Sequence, residues 1–233
     1  MLALTALEKR YDREPAITDI SVDLRPGKLT VLVGRSGAGK TTLLRCIDGL
    51  ERPDAGMVRL EGEPIDPENV ALVFQEGALL GGKSALESVL DGGLSREPVW
   101  RELLGWHAHA EKRAAIERLH AVGLGGYGAR RVTNLSGGQR QRVGIARALH
   151  QEPAVVLADE PVASLDPVTG RSVLRRLASV IRRGNLIGLV SLHQPGLAQS
   201  VADRYLGLQN GRLVLDESAD AVDSERLSEV YDG

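Results

Sequence analysis

Short, unbroken apolar runs recur along this chain at 31–33, 70–74, 154–158 and 186–192, each closed by a turn-forming or polar residue. Runs of this kind read as buried strands, since a strand covered on both faces has no polar side to alternate with. Residues 17–24 differ: apolar and polar side chains alternate there, the pattern of a half-buried strand. Leu2, Leu4 and Leu7 precede a charged segment at 8–12 and give a further N-terminal strand, and Pro26-Gly27 turns the chain into the run at 31–33. Residues 57–62 form a short strand after the turn Pro53-Asp54-Ala55-Gly56, and residues 205–215 form a hairpin around Asn210-Gly211.

Between these strands the period changes to that of a helix. Ser84-Ala85-Leu86-Glu87 has the spacing of a capping box, with Leu86, Val89 and Leu90 on one face behind it. Ala114, Ala115, Leu119 and Val122 recur at helical spacing before Gly123, and residues 168–183 form an amphipathic helix that stops at Gly184. The chain therefore predicts an α/β fold in which a mainly helical segment, about 84–148, is inserted between strands. From Asp216 onward the acidic tail predicts a surface helix at most.

The most informative stretch follows the run at 31–33. Gly34-Arg35-Ser36-Gly37-Ala38-Gly39-Lys40-Thr41-Thr42 has the P-loop spacing, two glycines and then Lys-Thr, between a strand and a helix. Glycines leave backbone N–H groups bare at a positive helix N-terminus, where a phosphate chain can sit. Lys40 then neutralises the β- and γ-phosphates of a nucleotide, and Thr41 offers a hydroxyl to Mg²⁺. A second anion site is predicted at Ser136-Gly137-Gly138-Gln139, where Ser136 caps a long helix whose first residues are glycines. The run at 154–158 delivers adjacent carboxylates, Asp159 and Glu160, to the end of a parallel sheet where ligands bind. There Asp159 can share Mg²⁺ with Thr41 while Glu160 polarises a water. His193 stands just past the run at 186–192 and is either an ordinary structural histidine or, at the strand edge where the γ-phosphate would be, a functional one, the reading favoured. Gln75, at the end of another core strand, either caps its turn or reaches a metal-bound nucleotide. Tyr11 either stacks on an adenine or is an ordinary edge-strand aromatic.

Composition narrows the partners. The 233 residues form one large domain or a core with a subdomain, and the net charge of -2 gives no electrostatic reason to expect nucleic acid. The single cysteine, Cys46, excludes an intrachain disulfide and reads as a small buried residue. No apolar run approaches the ~20 residues needed to span a bilayer, and the N-terminal charges follow the apolar stretch, opposite to a signal peptide. A cytosolic protein is expected, one that must dock on another chain if it serves a membrane process. Trp100, Trp106, His107 and His109 read as packing or docking surface.

In this order the segments closely resemble the ATP-binding subunit of ABC transporters, over essentially the whole chain. By resemblance, residues 34–42 are the Walker A loop, Gln75 the Q-loop glutamine and Leu135-Ser136-Gly137-Gly138-Gln139 the signature. Ala158-Asp159-Glu160 is the Walker B end, Ser164-Leu165-Asp166 the D-loop, His193 the switch histidine and Tyr11 the A-loop aromatic. The chain is most similar to phosphonate importer ATPases, through residues 157–167, Ser191-Leu192-His193-Gln194 and the Trp-containing insert. The resemblance implies a single nucleotide-binding domain over 1–233: a RecA-like core of about 1–83 and 149–233 with an N-terminal antiparallel subdomain, and a helical subdomain of about 84–148. It implies ATP with Mg²⁺, and a head-to-tail pairing with a second copy. It also implies integral permease subunits, an external substrate-binding protein reached indirectly, and a peripheral place on the cytoplasmic face. A non-transport ABC ATPase acting on a soluble complex is the alternative.

Overall fold

The structure, a computed structural model, describes residues 1–12, 14–73, 79–96 and 109–232. Strands β1 (Leu2–Tyr11) and β2 (Glu14–Leu24) pair antiparallel, and after β3 (Lys28–Val33) and helix α1 (Lys40–Asp48) the chain returns through β4 (Ala55–Leu60) and β5 (Glu63–Pro64) to complete a sheet ordered β2-β1-β4-β5. Next come β6 (Val70–Val73), α2 (Ala85–Leu90), α3 (His109–Ala121) and α4 (Gly137–His150). The remainder is β7 (Val155–Asp159), α5 (Pro167–Arg183), β8 (Ile187–Ser191), α6 (Pro195–Ala198), β9 (Arg204–Gln209), β10 (Arg212–Ser218) and α7 (Ser224–Asp232). The second sheet runs β10-β9-β3-β8-β7-β6, parallel except for the β9–β10 hairpin.

The four expected apolar runs are β3, β6, β7 and β8, and their burial shows why they lack alternation. On β7, Val156 and Ala158 join one apolar cluster with α4 and α5, while Val155 and Leu157 join a second cluster with α1 and the antiparallel sheet. Val31 and Leu32 on β3, and Leu189 and Val190 on β8, divide between the same two clusters. Each strand is thus clad on both faces, and each buried side chain contributes roughly 1.5–3 kcal/mol to holding its register. Cys46 is buried in the α1 layer, and that burial pushes its thiol up to about 11, so it serves as the small apolar residue expected.

Local capping follows the expected residues. Ser84 accepts from the Glu87 amide and Glu87 returns the bond to the Ser84 amide at 2.7 Å, closing the capping box of α2. Asp166 caps α5 through the amides of Val168 and Thr169. On α3, Ala115 and Leu119 face the core as their spacing requires, while Ile116 is left 43% exposed. Among the described residues no helix is long and apolar enough to cross a membrane.

The acidic tail departs from expectation. Its helix α7 is docked, not merely superficial: Leu227 is 0% and Val230 6% exposed, and the Tyr231 hydroxyl donates to the Leu192 carbonyl at 2.9 Å. Asp223, Glu225 and Glu229 are exposed while Leu227, Val230 and Tyr231, at three- and four-residue spacing, pack inward, so net charge hid an amphipathic helix. Leu227→Ala is expected to cost about 2–4 kcal/mol in urea unfolding. A change within about 0.5 kcal/mol, ordinary for surface substitutions, would return α7 to the surface.

Candidate functional site

The loop between β3 and α1 owes its shape to backbone contacts that only glycine permits. Gly34 has φ 147, and a Cβ there would lie 2.3 Å from the Leu208 carbonyl oxygen of β9. Gly39, the N-cap of α1 with φ 100, would place one 2.4 Å from the Ala16 carbonyl oxygen of β2. From the β9–β10 turn, the Gly211 amide donates to the Ala38 carbonyl at 3.2 Å, while the Thr18 amide of β2 donates to the Gly211 carbonyl at 2.8 Å. The loop is clamped between the hairpin and the N-terminal sheet, with Arg35, Ser36 and Gly37 on its exposed rim. Its exposed rim and the start of α1 have the form of a loop whose backbone amides can receive an anion.

Lys40 is buried and its ammonium donates to the Gly34 and Arg35 carbonyls at 2.7 and 2.9 Å. Burial lowers its pKa, while the nearby Glu160 and Asp159 carboxylates pull the other way. Tyr11 stands beside Thr42 with 42% of its surface open. Burial and the neighbouring Glu51 push its phenol pKa up, against the smaller effect of the Thr42 hydroxyl. An exposed ring at the edge of the phosphate loop has the placement that base stacking requires.

Near Lys40 lies the end of β7, with Asp159 and Glu160. The Thr41 hydroxyl donates to Asp159 Oδ2 at 2.8 Å, and Asp159 Oδ1 accepts from the Ser191 hydroxyl at 2.6 Å. The next residue, Glu160, has φ 47, its amide donates to Ser191 Oγ at 2.9 Å, and its carboxylate is paired with His193 Nε2. The parallel register that sets Asp159 opposite Ser191 brings these groups together. Among the described residues no group of three or more His, Cys, Asp or Glu surrounds a metal position. A hydroxyl and a single carboxylate are nevertheless what a magnesium ion needs when phosphate oxygens and waters complete its octahedron. Thr41 and Asp159 therefore fit that ion, and Glu160 and His193 are paired next to them.

The second anion site expected from the sequence falls at the start of α4. Ser136 Oγ accepts from the Gln139 amide at 3.3 Å and the Ser136 amide donates to Gln139 Oε1 at 2.9 Å, closing a capping box. Gly137 and Gly138 lie against Leu165 and Thr169, so this cap packs on the turn that follows Glu160. Gln75, Trp100, Trp106 and His107 lie outside the described residues, and His109 is an exposed first residue of α3. Sequence reasoning passed over Ser191, whose signal was a lone hydroxyl inside an otherwise apolar run.

Comparison with known proteins bears on the family and the fold. A family model described as ABC transporter matches residues 17–163. Over 232 residues the chain is 67% identical to the phosphonates import ATP-binding protein PhnC 1 of Natronomonas pharaonis, with 100% of each chain covered. It is 40% identical over 240 residues to the hypophosphite import ATP-binding protein HtxD of Stutzerimonas stutzeri, covering 99% of this chain and 70% of that one. Among solved structures, a dimeric ATP-binding cassette in a post-hydrolysis state, bound to ADP and Pi, superposes with TM-score 0.79 at 27% identity, over 94% of this chain and 99% of that one.

The two kinds of loop glycine should separate experimentally. Gly34→Ala meets a backbone carbonyl and is expected to weaken binding of a non-hydrolysable ATP analogue, measured by calorimetry, by at least about tenfold, or 1.4 kcal/mol. Gly37→Ala meets nothing within 4 Å and carries only the strain of φ 80, so the smaller loss belongs to it. The reverse order would mean that backbone contact with Leu208 does not set the loop.

Proposed function

This chain belongs to the ABC transporter family as an ATP-hydrolysing subunit, and from that we infer that two copies of it, paired head to tail, power uptake of a phosphonate or a closely related phosphorus oxyanion. The observation that carries this reading is the continuous chain of contacts from Thr41 through Asp159 and Ser191 to Glu160 and His193. The full-length identity to a phosphonate import subunit supports the substrate class, and the relative named for hypophosphite keeps the class broader than phosphonate alone.

In this mechanism the 34–42 loop of one copy binds the triphosphate through backbone N–H groups, with Lys40 exchanging its loop carbonyls for the β- and γ-phosphates. Tyr11 stacks on the adenine. Thr41 and Asp159, with Gln75 as the resemblance implies, would hold Mg²⁺, which when bound would neutralise charge on the phosphate oxygens. Ser136, Gly137, Gly138 and Gln139 of the second copy close over the γ-phosphate. Donors aimed at developing negative charge then complete the site only in the closed pair. Glu160 orients and deprotonates the attacking water, and His193 fixes that carboxylate and the γ-phosphate. Opening and closing of the pair moves integral permease subunits docked near the helical segment, about 84–148, at the cytoplasmic face. An external substrate-binding protein would deliver the oxyanion to those permeases.

Glu160→Gln is expected to bind ATP and to shift from monomer to dimer in light scattering, while turnover falls about 10²–10⁴-fold as the general base is lost. Near-normal turnover would remove Glu160 from its role, and a strictly monomeric ATP complex would remove the shared site. For transport, a strain deleted for this chain should fail to grow on methylphosphonate as sole phosphorus source while growing on phosphate. Equal growth on both would refute the substrate class.

A further inference from the structure

Among the described residues, Ser191 is the one fully buried polar side chain bonded to both carboxylate residues at the end of β7. Its single hydroxyl proton is committed to Asp159 Oδ1, at the 2.6 Å expected of a charge-assisted bond to a carboxylate. The oxygen must then act as acceptor toward Glu160, whose amide points at it from 2.9 Å. Asp159 Oδ2 is thereby left toward the Thr41 hydroxyl, 2.8 Å away, and Glu160 is held at φ 47, a conformation that non-glycine residues adopt only at a cost. Three consequences of one hydroxyl coincide: the rotation of Asp159, the left-handed backbone at Glu160, and the approach of Glu160 to His193.

We propose that Ser191 is a positioning residue for hydrolysis, one whose hydroxyl locks the Asp159 carboxylate in the rotamer that presents Oδ2 to the cation and holds the Glu160 backbone so that its carboxylate faces His193. The proposal deepens the ATPase reading above and rests on it. Ser191 lies below the site in the sheet, 0% exposed, so it acts through Asp159 and Glu160. Groups that orient a metal's own ligands typically change metal affinity or activity by about 10–100-fold when removed. Without the hydroxyl, Asp159 Oδ1 loses its donor and the Glu160 amide its acceptor, and both residues relax away from the geometry the reaction needs.

The test compares wild type with Ser191→Ala and with Ser191→Cys, which keeps the volume but weakens both hydrogen bonds. Fluorescent ATP-analogue binding is measured with EDTA and across a magnesium titration, together with steady-state turnover and thermal midpoints. Ser191→Ala should bind nucleotide in EDTA within about twofold of wild type, because the P-loop is untouched. Its magnesium half-saturation should rise and its kcat should fall, each by about 10–100-fold, with KM for ATP at saturating magnesium little changed. Ser191→Cys should lose less in the same direction, and it carries the test if the alanine variant does not fold. A folded variant with wild-type magnesium dependence and kcat overturns the proposal, as does a loss of nucleotide affinity equal with and without magnesium, which would mark a merely structural role. Wild-type binding and turnover indifferent to magnesium would instead overturn the metal assignment in the ATPase reading.

Discussion

The alignment of β7 with β8, Asp159 level with Ser191, is the constraint on which the site depends. Because side chains alternate between the faces of a strand, a slip of one residue would carry Asp159 to the opposite face and place Glu160 at its position. What prevents the slip is far from the chemistry. Val155 and Leu157 belong to one apolar cluster and Val156 and Ala158 to the other, so any displacement exchanges every contact on the strand. Packing on both faces of the sheet therefore specifies where the carboxylates arrive, and the hydrogen bonds at the edge refine a position already set.

The phosphate loop is held by a different device. Its fixed points are main-chain carbonyls and amides contributed by β2, β9 and the β9–β10 turn, so its shape depends on sequence-distant backbone more than on its own side chains. This makes the loop intolerant of a Cβ at Gly34 or Gly39 while leaving Ser36 and Gly37 exposed to a ligand. It also joins the antiparallel sheet to the loop: the Ala16 carbonyl lies against Gly39, and the Thr18 amide reaches the loop through Gly211.

Much of this was legible in the order of residues. The apolar runs at 70–74, 154–158 and 186–192 became β6, β7 and β8 because strands buried on both faces have no competing periodicity. Ser84 and Ser136 were identifiable as caps because the capping-box spacing is local and needs no tertiary context. Asp159, Glu160 and His193 were legible as strand-end groups, but their mutual contact was not, since it depends on the parallel register of strands about thirty residues apart. Ser191 was missed for the same reason: a serine in an apolar run reads as a weak strand former until its neighbour across the ladder is known. The C-terminal helix was misjudged because its charges dominate its composition, whereas burial is decided by the spacing of Leu227, Val230 and Tyr231.

That helix bears on the site through the backbone that carries His193. Leu192 is anchored twice: its amide donates to the Leu32 carbonyl at 3.1 Å, and its own carbonyl accepts from the Tyr231 hydroxyl. Burial raises the Tyr231 phenol pKa, which keeps it protonated as a donor. One residue upstream, Ser191 is tied to Asp159 and Glu160, so the chain enters His193 from two consecutive fixed positions. The His193 side chain itself is 37% exposed and paired with Glu160. A side chain free to turn on a fixed main chain can exchange its carboxylate partner for a phosphate oxygen without disturbing the strand beneath. The docking of α7 thus fixes the main chain one residue before His193.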